Sequence, residues 1–155
     1  MDGGLANMIR SMAHLRDRGV FTAHHFTLSV SDLDRSIVFY EQFGFRLGLR
    51  WQAPDGSLAI AHLVLGGFIL ELFCYAANAE ESPVARGVGN DLESIGVKHL
   101  ALRVASLEEA RVELAQSGVE TMTETAHGRT GIDYLFVRDP DGLWVEIVED
   151  NRSLT

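Results

Sequence analysis

The chain is short of cysteine, of basic residues and of long apolar runs, and each shortage excludes something. Its single cysteine, Cys74, leaves no partner for an intrachain disulfide and suits a reducing cytosol. Among apolar neighbours it reads as inert packing. Thirteen Lys and Arg stand against 22 Asp and Glu, for a formal net charge of -9 and a pI near 5.0. That balance argues against a nucleic-acid partner, which needs a basic face to displace counterions from phosphates. The greasiest segment, Leu58 to Phe73, is broken by His62, Gly66, Gly67 and Glu71, so it does not read as a membrane span. Arg10, His14, Arg16, Asp17 and Arg18 likewise interrupt the stretch where a secretory apolar core would lie. The expectation is a soluble cytoplasmic protein with no membrane partner. Its 155 residues, 46% of them apolar, suit one domain or two small modules sharing a core.

What is present is a unit written twice. Phe26, Leu28 and Val30 alternate against His25, Thr27 and Ser29, the two-residue period of a strand with one buried face. Asp32 can cap a helix whose face carries Leu33, Ile37 and Tyr40, and Gly44 can end it. Strand-like runs follow at Phe45 to Gln52, Leu58 to Leu65 and Phe68 to Cys74, separated by the turn sequences Pro54-Asp55-Gly56 and Gly66-Gly67. In the second copy Leu100, Leu102 and Val104 alternate against His99, Ala101 and Arg103. Ser106 and Glu109 form a capping box, Leu107, Ala110 and Leu114 an apolar stripe, and Gly118 falls nineteen residues after His99, as Gly44 does after His25. Strands are expected at Val119 to Thr125, Tyr134 to Arg138 and Leu143 to Glu149, with Asp139-Pro140-Asp141-Gly142 as the last turn.

The reading is an α+β fold of tandem βαβββ modules. An N-terminal extension covers 1–21, with a short helix expected over Leu5 to Gly19. The first module covers 22–75, a linker or covering loop 76–96, the second module 97–149, and a tail 150–155.

The two copies place the same chemistry at the same points, since His25 precedes Glu71 by 46 residues and His99 precedes Glu146 by 47. Strand parity turns each His and each Glu away from the helix-facing side. An ionised carboxylate in the middle of an apolar strand is costly unless a cation or donor compensates it. Two carboxylates and two imidazoles would compensate one another through a divalent ion. Nitrogen and oxygen donors suit Zn, Ni, Co, Mn or Fe, and four protein ligands leave an octahedral ion open to water or substrate. The metal set is therefore His25, Glu71, His99 and Glu146, closing either within one chain or across a dimer. His24 has the wrong parity and reads as structural, while His14, His62 and His127 have no counterparts and read as residues on the surface or behind the ligands. Asp141 and Gly142 are what a turn needs, and Phe39, Tyr40, Phe43 and Phe45 read as core packing at a helix–strand junction.

The segments His25 to Tyr40, Leu70 to Phe73, Lys98 to Val104 and Asp139 to Glu146 resemble the vicinal oxygen chelate superfamily, which includes glyoxalase I, methylmalonyl-CoA epimerase, extradiol dioxygenases and the fosfomycin- and bleomycin-resistance proteins. The resemblance spans about residues 22 to 149. It implies paired βαβββ modules whose sheets curve around a divalent metal, commonly in a homodimer, and a small substrate that chelates through adjacent oxygens. Glu71 at the second ligand position looks like glyoxalase I, which implies proton transfer next to a carbonyl with Glu71 or Glu146 as the base. Glyoxalase I, however, typically has Arg four residues after the first His and Asn four after the first Glu, both contacting glutathione. Ser29 and Tyr75 stand there instead, so the expectation is a metal-dependent lyase or isomerase that does not use glutathione. An iron-dependent dioxygenase and a non-catalytic drug- or metabolite-binding protein are the alternatives.

Overall fold

The computed structural model describes residues 22–77 and 95–153; the helix expected over Leu5 to Gly19, and most of the loop expected over 76–96, lie outside the described residues. The alternating stretch forms β1, His25–Ser29. Asp32 then caps α1, Leu33–Glu41, by accepting a hydrogen bond from the Arg35 N–H at 3.0 Å. Leu33, Ile37 and Tyr40 are all buried. Gly44 and Gly118, which follow the two helices, have φ of +85° and +74°, a conformation that costs any residue with a β-carbon.

Strands β2 (Arg46–Gln52), β3 (Leu58–Leu65) and β4 (Phe68–Tyr75) complete a four-stranded sheet in the order β1-β4-β3-β2, in which only β1 and β4 run parallel. The second unit repeats the plan. Strand β5 (Leu100–Val104), helix α2 (Leu107–Gln116) and strands β6 (Ala126–His127), β7 (Asp133–Arg138) and β8 (Trp144–Glu149) give the order β5-β8-β7-β6, with β5 parallel to β8. At the start of α2, Ser106 accepts from the Glu109 N–H at 3.3 Å and Glu149 accepts from the Leu107 N–H at 3.0 Å. The Glu149 carboxylate thus sits at the positive end of the helix dipole.

The strand expected over Val119 to Thr125 does not form. Thr121 makes an isolated bridge to Val137, and among the described residues the paired strand on that side is β6 alone. The Thr123 hydroxyl accepts the Phe136 N–H at 3.0 Å, so a side chain takes the place of the backbone ladder.

Leu63, Leu70 and Leu72 of the first sheet and Leu135, Val137, Val145 and Ile147 of the second belong to one buried cluster with both helices. Two short networks fasten the modules to each other. The Tyr40 hydroxyl donates to Asp139 Oδ2 at 3.1 Å, while Asp141 receives the Ser31 backbone N–H at 2.9 Å, the Ser31 hydroxyl, and Arg35 at 3.0 Å. The Asp-Pro-Asp-Gly turn therefore does more than reverse the chain. No helix among the described residues is long and apolar enough to cross a membrane.

Candidate metal centre

Each sheet buries one face under its helix and leaves the other for chemistry. In the first, Ala61, Leu63, Leu70 and Leu72 are fully buried, while the alternate residues Ile60, His62, Ile69, Glu71 and Phe73 are half-buried on the opposite face. Strand register lines up Thr27, Glu71, His62 and Leu49 in one row across that face. His25 Nε2 stands 3.6 Å from Glu71 Oε2. In the second sheet Ala101, Glu146 and Phe136 form the equivalent row, and His99 Nε2 stands 3.3 Å from Glu146 Oε2. His99 itself lies one residue ahead of β5.

These separations fit shared ligation. Two donors each about 2.1 Å from one ion, at angles between octahedral and tetrahedral, stand roughly 3.0 to 3.4 Å apart. Both pairs lie at or near that range, and both combine an imidazole nitrogen with a carboxylate oxygen. The four predicted residues nevertheless come together as two pairs. Among the described residues, no group of three or more His, Cys, Asp or Glu is arranged to hold an ion.

The two half-sites differ in what surrounds the carboxylate. Glu71 Oε2 accepts the Thr27 hydroxyl at 2.8 Å, and Glu71 Oε1 lies 3.0 Å from His62 Nε2. Because a carboxylate only accepts, that ring nitrogen carries the proton. The Thr27 hydroxyl foremost, then the His62 imidazole and the nearby His25, hold the Glu71 carboxyl below the usual carboxylate range despite its partial burial. Glu146 has Ala101 and Phe136 at the same register positions, neither of which can donate from its side chain, and among the described residues its carboxylate meets His99 alone. Around it stands an aromatic wall: Phe136 lies edge-on to His99, Tyr134 and Trp144, and Arg138 covers the Trp144 ring at 4.1 Å. Trp144 Nε1 is buried and has no acceptor among the described residues.

Sequence reasoning missed Thr27, and of the two places it left open for His62, on the surface or behind a ligand, the structure shows the second, against Glu71. A signal existed for His62, which stands four residues before Gly66 as Glu71 stands four after Gly67, so a two-residue hairpin turn sets them opposite each other. His24 is exposed, with its Nδ1 2.8 Å from that of His25, and His127 is exposed and 2.7 Å from Asp133. His14 lies outside the described residues.

A family model for the Glyoxalase/Bleomycin resistance protein/Dioxygenase superfamily matches residues 22–147. The chain belongs to that superfamily. It is 30% identical over 128 residues to the uncharacterized protein YwkD of Bacillus subtilis, an alignment covering 81% of this chain and 94% of that one. It is 29% identical over 135 residues to the lactoylglutathione lyase of Escherichia coli O157:H7, covering 83% and 93%. Among solved structures, a glyoxalase family protein from Enterococcus faecalis superposes with a TM-score of 0.69 at 28% identity, covering 84% of this chain and 98% of that one. The trypanothione-dependent glyoxalase I of Leishmania major does so with a TM-score of 0.62 at 26% identity, covering 83% and 86%.

Proposed function

We propose that this superfamily member is a metal-dependent lyase or isomerase that moves a proton at the carbon next to a carbonyl, on a small substrate with vicinal oxygens. His25 and Glu71 of one copy and His99 and Glu146 of a second copy hold one divalent ion in a homodimer. The observation that carries this reading is the pair of half-sites, each with an imidazole and a carboxylate spaced for a shared ion and each incomplete alone. The chemistry such an ion supplies when bound is polarisation of the substrate carbonyl, which stabilises the charge that develops on oxygen.

The protein residues do the rest. Glu146 is the proton acceptor, because its carboxylate lacks the donors that hold Glu71. The aromatic wall of Phe136, Tyr134 and Trp144 excludes water, and Trp144 Nε1 is a donor for a substrate oxygen. Ser29 and Tyr75 offer no cationic group for a glutathione carboxylate, which supports a substrate of another kind.

Metal analysis of freshly purified protein tests the reading, together with hydroxyacetone in deuterated water followed by proton NMR. The expected results are stoichiometric metal, its loss in a His25→Ala, Glu146→Ala double variant, and metal-dependent loss of the methylene signal. Unchanged metal content in the double variant overturns the ligand set. Tight hydroxyacetone binding by metal-free protein with no exchange favours a sequestering protein instead.

A further inference from the structure

We infer that His62 is a positioning residue that divides the two carboxylates into a fixed one and a free one. The inference rests on the metal-centre reading above. His62 Nε2 holds Glu71 Oε1 at 3.0 Å, on the far side of the carboxylate from Oε2, which stands nearest His25 Nε2 at 3.6 Å. Glu71 can therefore present only Oε2 to an ion shared with His25, and Thr27, bonded to that same oxygen at 2.8 Å, fixes the rotation of the group. An outer partner of this kind orients a ligand and strengthens its hold on the ion.

The module repeat supplies the internal control. Glu146 occupies the same place in β8 as Glu71 in β4, yet the residue opposite it in β7 is Phe136 where β3 has His62, and the one beside it in β5 is Ala101 where β1 has Thr27. Both donors are replaced at once. Burial does not explain the difference, because both carboxylate side chains are mostly covered, 18% exposed for Glu71 and 13% for Glu146. His62, itself about one-third exposed, is not needed as core filler. Among the described residues one carboxylate is held by two side-chain hydrogen bonds and its repeat equivalent by none, so the ion's two acidic ligands are unequal before any substrate arrives.

The test uses the full chain loaded with cobalt(II), comparing the wild type with His62→Phe, which copies the second half-site, and His62→Gln, whose amide N–H can still donate to Glu71. Readouts are cobalt affinity by chelator competition and the visible absorption of the bound ion, with apo-protein melting curves to verify folding. His62→Phe should weaken cobalt binding by about 10- to 100-fold and change the visible spectrum as Glu71 turns, while His62→Gln should recover most of both. Cobalt affinity and spectrum unchanged in His62→Phe overturn the inference. Losses as large in His62→Gln as in His62→Phe overturn it too, because they make His62 a direct ligand or a structural residue. A wild type that takes up no cobalt overturns the metal-centre reading, and the clamp with it.

Discussion

Tyr40 of the first module donates its hydroxyl proton to Asp139 of the second at 3.1 Å, and both residues are buried. The same carboxylate accepts the backbone N–H of Asp141 at 2.9 Å and of Leu143 at 2.8 Å, so Asp139 both shapes the last turn and ties it to α1. The tie matters to the site because that turn leads into β8, which carries Glu146. Burial foremost, then the facing Asp139 charge, push the Tyr40 hydroxyl far above its ordinary value, so it remains a donor at any working pH.

Tyr40→Phe should remove one bond while keeping the ring packed against Phe39 and Phe45. The expected cost is about 1–2 kcal/mol, the range for taking one partner from a buried acceptor that retains others. Urea unfolding checks it through a lower midpoint at unchanged slope. An unchanged midpoint would mean that the Tyr40 bond to Asp139 adds nothing to what the apolar core and the Ser31 and Arg35 bonds to Asp141 already supply.

Burial, opposed by hydrogen bonds from the Leu143 N–H, the Tyr40 hydroxyl and the Asp141 N–H, leaves the Asp139 carboxyl above its ordinary 3.8. A raised folded-state value means that the folded protein binds this proton more readily than the unfolded chain does. Asp139 therefore favours folding most below the unfolded value, and its contribution is lost as pH rises through the folded one. Glu71, Asp34, Asp55 and Asp150 are shifted the other way and add stability as pH rises. The informative quantity is thus the difference between wild type and Asp139→Asn. Urea unfolding from about pH 4 upward should show the wild type losing ground to the variant before the gap levels off. A gap independent of pH would remove Asp139 as its source.

Much of this was legible because it is local. Asp32 and Ser106 announce helix starts by their side-chain oxygens, Gly44 and Gly118 mark the ends by tolerating positive φ, and period-two alternation gives the faces of β1, β4 and β8. The doubled His and Glu positions followed from that parity. What failed was what depends on pairing across distance. Val119 to Thr125 reads like a strand, yet among the described residues it meets β7 through the Thr123 side chain and one isolated bridge. His62 lacks a counterpart in the repeat, so symmetry left it between a surface place and one behind a ligand, and only the pairing of β3 with β4 sets it against Glu71. Asp139 and Asp141 satisfy a turn so well that their bonds to Tyr40, Ser31 and Arg35, about a hundred positions away, left no trace in the local pattern.

If Glu146 is the acceptor, Glu146→Gln should lower the rate of hydroxyacetone exchange by about 10²- to 10⁴-fold, the usual contribution of a positioned general base. The amide oxygen can still face the ion, so metal content should fall far less than the rate. Glu71→Gln should show the opposite balance, with a larger loss of metal for a given loss of rate, because its carboxylate is held in place by Thr27 and His62. Equal effects of the two substitutions on both readouts would mean that the carboxylates are interchangeable.

Closure across two copies makes a quantitative prediction that closure within one chain does not. A variant with His25→Ala and Glu71→Ala keeps only the second half-site, and one with His99→Ala and Glu146→Ala keeps only the first, so each alone should bind no ion at the centre. Mixed in equal amounts and allowed to exchange subunits, half of the dimers pair one variant with the other. In a two-fold symmetric dimer each such pair holds one intact centre and one doubly broken one, so about a quarter of all centres should regain metal. Elemental analysis of the re-purified mixture reads that fraction directly. If the half-sites instead met within a single chain, every chain in the mixture would carry a broken centre and metal content would stay at the level of the separate variants.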